Sequence, residues 1–159
     1  MKKRYDQGEY WWELRSCTYY DEFDKPKIML PDISLRGNFT MDQEGGFCIV
    51  NTAYIIGSDE NFLLGILASA LIDFYYRSIS STYRGGYLRF IYQYLETIPI
   101  VKPDGETRKT LVSNVQKILD SKNQNPEADT TELEAEIDRL VYELYGLSEE
   151  EIGFVEDIS

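Results

Sequence analysis

A single amphipathic helix near the middle of the chain is the feature that most constrains the fold. Ser58 supplies a potential N-cap, and Asp59 and Glu60 place acidic side chains in the first turn, where the helix dipole favours them. The apolar residues that follow recur at helical spacing: Phe62, Leu63, Ile66, Leu67, Ala70, Leu71 and Phe74. The pattern predicts one helix over residues 59–77. Its apolar stripe must be covered by a sheet or by other helices.

Aromatic and β-branched segments before this helix predict strands. YWWELRSCTYY (10–20) and KPKIMLPDI (25–33) are predicted to be extended. GGFCIVNTAYII (45–56) is predicted to be a buried strand that follows a glycine turn.

A loop and one more strand are predicted after the helix. SISSTYRGG (78–86) is rich in residues that disfavour helix, and YLRFIYQYL (87–95) has the alternation of a strand. In that strand Leu88 and Phe90 share an apolar face, and Arg89 lies on the more polar face beside the glycine loop. The expected fold class is therefore α+β: a small twisted sheet packed with one core helix, followed by C-terminal helices.

The chain changes character at ETIPIVKPDGE (96–106), where prolines and a glycine interrupt the pattern. Residues 1–103 carry 11 basic and 13 acidic side chains, whereas residues 104–159 carry 5 basic and 15 acidic ones. We place a boundary here, between a front domain (1–103) and an acidic helical extension (104–159).

The extension contains two predicted amphipathic helices. The first has an apolar stripe at Leu111, Val112, Val115, Ile118 and Leu119. The second is predicted to start at a capping box of Thr131 with Glu134 and to end at Gly146, and Ser148 with Glu151 forms a further box. Helices with one apolar face must pack on each other, on the front domain or on another chain, and a homodimer is among the assemblies that this allows.

The composition disfavours several function classes. The 159 residues include no histidine, which is the commonest general base. Cys17 and Cys48 lack CxxC spacing, so we predict neither a zinc site nor a disulfide framework. No stretch approaches the roughly 20 apolar residues that a membrane-spanning helix needs. We expect a cytoplasmic protein with no membrane partner.

Catalytic and phosphate-binding motifs are not recognisable. Neither GxxxxGK[ST] nor GxGxxG occurs, and the glycine pairs 45–46 and 85–86 are too short to replace them. Pro31-Asp32 is interpreted as a turn rather than as part of a nuclease site. We therefore assign no catalytic residue, metal ligand or cofactor site to this chain.

The run from Phe74 to Leu95 stands out because it contains three arginines, eight aromatic residues and no acidic residue, in a chain of formal net charge −12. Arginine and hydroxyl side chains can donate hydrogen bonds to phosphates and base edges. A tyrosine-rich core strand with surface arginines is the alternative that composition leaves open. The candidate DNA-binding residues are Arg77, Ser80, Ser81, Thr82, Tyr83, Arg84, Gly85, Gly86, Tyr87 and Arg89, together with Trp12 and Arg36.

Five segments carry a resemblance to a known family. They are YWWELRSC, KPKIMLPDIS, NTAYIIGSDENFLLGILASALIDFYYRSIS, STYRGGYLRF and QYLETIPI. In this order they resemble the TaqI-like C-terminal specificity domain, the target recognition domain of adenine-methylating restriction-modification enzymes, chiefly of type IIG. The resemblance covers roughly residues 8–103, and 51–99 is its most specific part. The ending ELEAEIDRLVYELYGLSEEE resembles the helical ending of such enzymes.

The resemblance implies sequence-specific recognition of double-stranded DNA, by a domain that directs a methyltransferase, and often an endonuclease, located in other domains. It implies S-adenosylmethionine and Mg²⁺ for the parent enzyme, in those other domains. A chain of this kind is not an enzyme by itself. Two alternatives remain: a protein-interaction module that docks on a methyltransferase or nuclease through the acidic helices, and an enzyme of a kind that these motifs do not show.

Overall fold

The computed structural model describes residues 8–10, 12, 20–83 and 85–157, and its strands and helices confirm the α+β class. After a single 3-10 turn at Tyr20–Glu22, the strands are β1 (Lys27–Pro31), β2 (Ile33–Ser34), β3 (Thr40–Asp42), β4 (Ala53–Ile56) and β5 (Leu88–Arg89). The helices are α1 (Asn61–Ala68), α2 (Ala70–Ile79), α3 (Tyr92–Leu95), α4 (Gly105–Gln124), α5 (Thr131–Tyr145) and α6 (Glu149–Glu156).

Strand β1 is the centre of a three-stranded antiparallel sheet with the order β3-β1-β4. Ile28 pairs with Met41 on one side and with Ile56 on the other, and Ile28 and Leu30 are buried in the core. This confirms the strand predicted in 25–33. Strands β2 and β5 form a separate antiparallel pair, which we call the ribbon.

The strand predicted over 45–56 is only half present. Ala53–Ile56 pairs with β1, but Phe47 and Val50 lie in a loop with 62% and 71% of their surface exposed. The reason is the Asp42 carboxylate, which accepts hydrogen bonds from the backbone N–H groups of residues 45, 46 and 47. Those groups are therefore not available to a strand ladder. The predicted strand 10–20 lies mostly outside the described residues.

The single helix predicted over 59–77 is instead two helices, α1 and α2, bent by 61°. Ser69 interrupts them with extended backbone (φ −70°, ψ 155°), and its Oγ donates to the Ile66 carbonyl and accepts from the Ile72 N–H. The predicted N-cap is also wrong, because α1 starts after Glu60 while Ser58 Oγ accepts the Glu60 N–H just outside the helix. No single helix among the described residues is long and apolar enough to cross a membrane, although α1 and α2 meet those criteria as a bent pair.

The strand predicted over 87–95 ends after two paired residues. Phe90 N–H donates to the Asp32 carbonyl, and Ile91 N–H donates to the hydroxyl of the buried Tyr76, after which the chain turns into α3. Leu88 and Phe90 are buried, as their shared face predicted. Strand alternation would put Tyr92 on that same face, but the turn leaves it exposed.

The helix ends of the extension agree with most of the predicted caps. Gly146 closes α5 in the left-handed conformation, and Ser148 with Glu151 forms a complete capping box. The box predicted at Thr131 does not form: Thr130 is the N-cap of α5, and its hydroxyl donates to the Glu134 carboxylate while making no cap hydrogen bond to the backbone.

Helices α4 and α5 pack on each other and on α1, which resolves the alternatives left open for their apolar faces. The fully buried Leu111 and Val141 belong to the same core cluster as Ile28. Gly65 permits the close approach of α1 and α4, because a Cβ there would lie only 2.9 Å from Val115 Cγ2. The division at residue 103 stays a prediction, and the core is built from both sides of it.

A buried ion pair fixes one end of β1. Lys27 is fully buried, and its Nζ lies 2.5 Å from Asp42 Oδ2 and 2.7 Å from the Phe23 carbonyl oxygen. Burial alone would raise the pKa of Asp42, but the hydrogen bonds from Lys27 and from three backbone N–H groups outweigh it and hold the pKa well below 3.8. Both charges are therefore fully compensated inside the protein.

Replacing Lys27 with methionine should destabilise the protein strongly, since Asp42 would keep a buried charge without a counter-charge. We expect a loss of about 3–5 kcal/mol in the free energy of unfolding, measured by urea denaturation. The control is Lys25→Met, which removes an exposed ion pair with Glu22 and should leave stability unchanged within error. Equal losses in the two variants would contradict the role of the buried pair.

A chain that ends at residue 103 should not fold cooperatively, because α1 would lose the helices that cover it. We expect no sigmoidal thermal transition and strong binding of a hydrophobic dye. A chain that ends at Leu147 keeps α4 and α5 and should still unfold in one transition at a lower temperature. A cooperative transition of the 1–103 fragment would show that the front part has a sufficient core of its own.

Candidate nucleic-acid interface

The ribbon presents one face to the core and one to solvent. Ile33 pairs with Arg89, and Ser34 pairs with Leu88. Ser34 and Leu88 are buried, whereas Ile33 and Arg89 point outward from neighbouring positions. Because Leu88 and Phe90 anchor the strand, the outward direction of Arg89 is fixed by the core.

A tight turn extends the ribbon on its solvent side. Tyr83 N–H donates to the Tyr87 carbonyl (2.7 Å), Gly86 N–H donates to the Tyr83 carbonyl (3.1 Å), and Thr82 makes a bridge to Leu88. Gly85 and Gly86 have φ angles of +83° and +80°, the conformation in which glycine is favoured. The Tyr83 and Tyr87 side chains are exposed on this turn.

Arg89 is held by two side chains at the edge of the ribbon. Its Nε donates to Asp32 Oδ1 at 3.2 Å, and its Nη1 donates a long hydrogen bond of 3.4 Å to the Tyr83 hydroxyl. The bond to Asp32, and then the bond to Tyr83, raise the pKa of the guanidinium above its ordinary value. The side chain stays 43% exposed, so this cation is both oriented and accessible.

Arg77, in contrast, braces the fold. Its Nε donates to Asp73 Oδ2 (2.7 Å), and its Nη2 donates to the Leu35 carbonyl (2.6 Å). Asp73 Oδ1 in turn accepts the Gly37 N–H. The predicted role of Arg77 in DNA binding stays a prediction, but its donors already hold the 35–37 turn against α2.

Tyr76 fixes the segment that carries Arg89. Its ring stacks on Phe90 at 4.5 Å between centroids, and its hydroxyl donates to the Arg89 carbonyl at 2.7 Å. Burial raises the pKa of this hydroxyl to about 12. The backbone at Arg89 is thus tied to α2, and only the arginine side chain is left free to reach outward.

The remaining predicted residues occupy different places. Ser81 and Thr82 are exposed beside the turn, whereas Ser80 ends α2 with its Oγ buried and without a partner among the described residues. Trp12 is exposed and stacks on Tyr10 at 4.9 Å. Arg84 lies outside the described residues.

Arg36 lies in a separate groove of about 360 Å³ between the segment 36–40 and helices α1, α4 and α5. The groove also contains Asp138, whose pKa is raised by burial, while the Ala70 N–H and the charge of Arg36 partly offset that effect. The groove walls combine apolar side chains with Arg36, Lys122, Glu134 and Asp138. Arg36 is therefore separate from the solvent-facing side of the ribbon and its turn, formed by Asp32, Ile33, Tyr83, Tyr87 and Arg89, which we call the ribbon surface.

Two residues of the ribbon surface were not among the candidates. Asp32 was interpreted only as a turn, and Ile33 only as part of a strand. The Arg89 partner of Asp32 is 57 residues away, so no local pattern signals the pair. Ile33 is 49% exposed, which a strand in a small sheet predicts for one face but not for a particular residue.

Metal chemistry has no evident place in the described part of the chain. No group of three or more cysteine, aspartate and glutamate side chains lies close enough together there to hold a metal ion.

Comparisons with known proteins identify the family of the chain and several relatives. The family model of the TaqI-like C-terminal specificity domain matches residues 1–100. The type II methyltransferase M.BstVI of Geobacillus stearothermophilus is 26% identical over 92% of this chain, and M.PaeR7I of Pseudomonas aeruginosa is 30% identical over 80%. The matches span 25% and 21% of those proteins, so the chain corresponds to about a quarter of their length.

A solved structure shares the fold. The type IIL restriction-modification enzyme MmeI, determined in complex with DNA, matches 79% of this chain and 19% of its own with a TM-score of 0.68 and 17% identity. The match supports the mixed architecture of sheet, ribbon and helices described above.

Gly85→Ala should destabilise the turn, since a Cβ at φ +83° is strained whatever space surrounds it. We expect a loss of about 1–2 kcal/mol in unfolding free energy, seen as a lower melting temperature. The matched control is Gly46→Ala, because Gly46 is an exposed loop glycine without a positive φ, and a Cβ added there would meet no atom within 4 Å. Equal melting temperatures of the two variants would contradict the strained turn.

Proposed function

The chain belongs to the family of TaqI-like C-terminal specificity domains, and on that premise we propose that it recognises a specific sequence in double-stranded DNA. The observation that carries the proposal is the ribbon surface. A two-stranded ribbon is one of the elements that the major groove admits, and this one displays an accessible arginine beside an exposed apolar residue.

We propose that the chain acts as the specificity part of a longer restriction-modification enzyme. The relatives named as type II methyltransferases are about four times its length, which supports a catalytic part elsewhere in such a protein. In that arrangement the methyltransferase, and an endonuclease where there is one, would be directed by this domain to their site. S-adenosylmethionine and Mg²⁺ would be held by those other parts.

The small positive charge of the ribbon favours recognition of the base sequence over strong binding to phosphates. The acid-free run supplies three arginines in all, and Arg77 already bonds within the fold. Each neutralised phosphate contributes about −0.9 to the salt slope, so contacts from all three arginines would set its upper limit near −2.7. That is far less than proteins with 6–10 phosphate contacts show, so most of the affinity of the whole enzyme would come from other parts.

Selection from a pool of duplexes with randomised central positions tests the proposal. At about 20 mM salt we expect the purified chain to enrich one sequence, and to bind the enriched duplex with a salt slope no steeper than about −3. Between 50 and 200 mM salt its affinity should fall by about 40-fold or less. A duplex of the same composition in scrambled order is the control.

Absence of any enrichment, or equal affinity for the enriched and the scrambled duplex, would contradict sequence recognition by this chain. A salt slope much steeper than −3 would indicate more phosphate contacts than the three arginines of the run can make, and therefore that a different surface binds.

A further inference from the structure

The guanidinium of Arg89 has donors that make no hydrogen bond within the described part of the chain. Of its five N–H donors, one on Nε is directed to Asp32 and one on Nη1 to Tyr83. Within the described part of the chain, Nη2 donates to no protein acceptor. The end formed by Nη1 and Nη2 is therefore the part of this side chain that can donate two parallel hydrogen bonds outward.

Asp32 is a rigid support for that arginine. Its backbone N–H donates to the Thr52 carbonyl (2.9 Å), and its own carbonyl accepts from Phe90 N–H (2.7 Å). The residue is thus fixed between β4 and the end of the ribbon, and only 16% of its side chain is exposed. A carboxylate held in this way restricts the rotamers of Arg89 before any ligand arrives, which lowers the entropic cost of binding.

The neighbouring arginine shows what a purely structural role looks like. Arg77 directs Nε and Nη2 to atoms of the fold, and 30% of its side chain is exposed. In Arg89, Nε also donates to a carboxylate, but among the described residues Nη2 and the second N–H of Nη1 have no acceptor. Ile33, its partner across the ribbon, adds an apolar surface that has no core to cover.

We propose that Arg89 reads a guanine in the major groove, donating from Nη1 and Nη2 to O6 and N7, and that Asp32 is the positioning residue that orients it. The assignment rests on the proposed function. Guanine presents two adjacent acceptors on that groove edge, which match two parallel guanidinium donors, whereas no other base does so. Ile33 lies where it can contact the methyl or ring edge of the adjacent base pair.

The test uses the full chain and the duplex that it enriches. Arg89→Met keeps an unbranched side chain that reaches about as far as Nε and removes the donors, and should abolish the preference for guanine at one position while preferences elsewhere persist. The expected loss in discrimination at that position is roughly 5- to 140-fold. Replacing that guanine with 7-deazaguanine, which lacks N7, should weaken the wild-type chain and leave Arg89→Met unaffected.

Arg89→Lys separates base reading from charge. Lysine keeps the positive charge but lacks the planar fork, so the salt slope should be retained while the guanine preference falls. The control Arg139→Ala removes one arginine from an exposed position on α5, where it pairs with Glu136 and Glu143, and should leave the preference at every position unchanged.

Asp32→Ala tests positioning. Its backbone bonds do not depend on the side chain, so the variant should keep its melting temperature close to that of the wild type. We expect a lower preference for guanine at the same position as in Arg89→Met, with a smaller loss, and partial recovery in Asp32→Asn, which retains an acceptor for Nε. Unchanged preference in Asp32→Ala would overturn its positioning role.

The outcomes distinguish this inference from the proposed function. If Arg89→Met weakens all duplexes equally and makes the salt slope about one unit shallower, Arg89 contacts a phosphate and the guanine assignment is wrong, while sequence recognition stands. If the wild-type chain enriches no sequence, the proposed function fails and the assignment fails with it.

Discussion

The ion pair of Lys27 with Asp42 joins two residues that face each other directly across β1 and β3. A buried pair of this kind adds little net stability, because desolvation of both charges offsets their attraction. It strongly penalises every other alignment of the strands, since a shift of one residue would bury either charge alone. The central strand is therefore held in one register. This register also fixes the position of the ribbon, which begins at the other end of β1.

The far end of β1 leads through Asp32 into the ribbon. The Asp32 carbonyl accepts a hydrogen bond from Phe90 N–H, just after β5. Its carboxylate accepts a second one from Arg89 of β5. Tyr76 fixes the same segment from the side of α2. The candidate surface is thus positioned by two anchors, one from the sheet through Asp32 and one from helix α2 through Tyr76.

Local sequence patterns predicted the elements whose signals are local. The strand at 27–31, the αL residue Gly146 and the Ser148 capping box depend on neighbouring residues, and the structure has them as predicted. The break at Ser69 was missed because a tertiary contact, which no local pattern signals, adds to the local cap that Ser69 forms. Asp138 of α5 accepts the Ala70 N–H, and so caps α2 from a helix 68 residues away, at a point where the periodicity of the apolar residues continues without interruption.

The candidate site shows the same limit. Composition singled out the acid-free run and its glycine pair, but it could not separate Arg77 from Arg89. Both are arginines in one aromatic context, and their difference lies in their partners: Asp73 on the same helix for Arg77, and Asp32 from another strand for Arg89. Only the three-dimensional pairing of β2 with β5 places Ile33 beside Arg89.

In the ribbon, the residues that hold the backbone are different from those whose side chains are exposed. This difference affects how such a domain can evolve. Because the peptide of Asp32 and the buried Leu88 and Phe90 hold the backbone, the side chains at 33 and 89 are not part of the buried core that fixes the ribbon. Exposed substitutions of that sort usually alter stability by less than about 0.5 kcal/mol. Under the proposed assignment, single substitutions at 33 and 89 would change the bases that are contacted while the backbone of the ribbon stays in place.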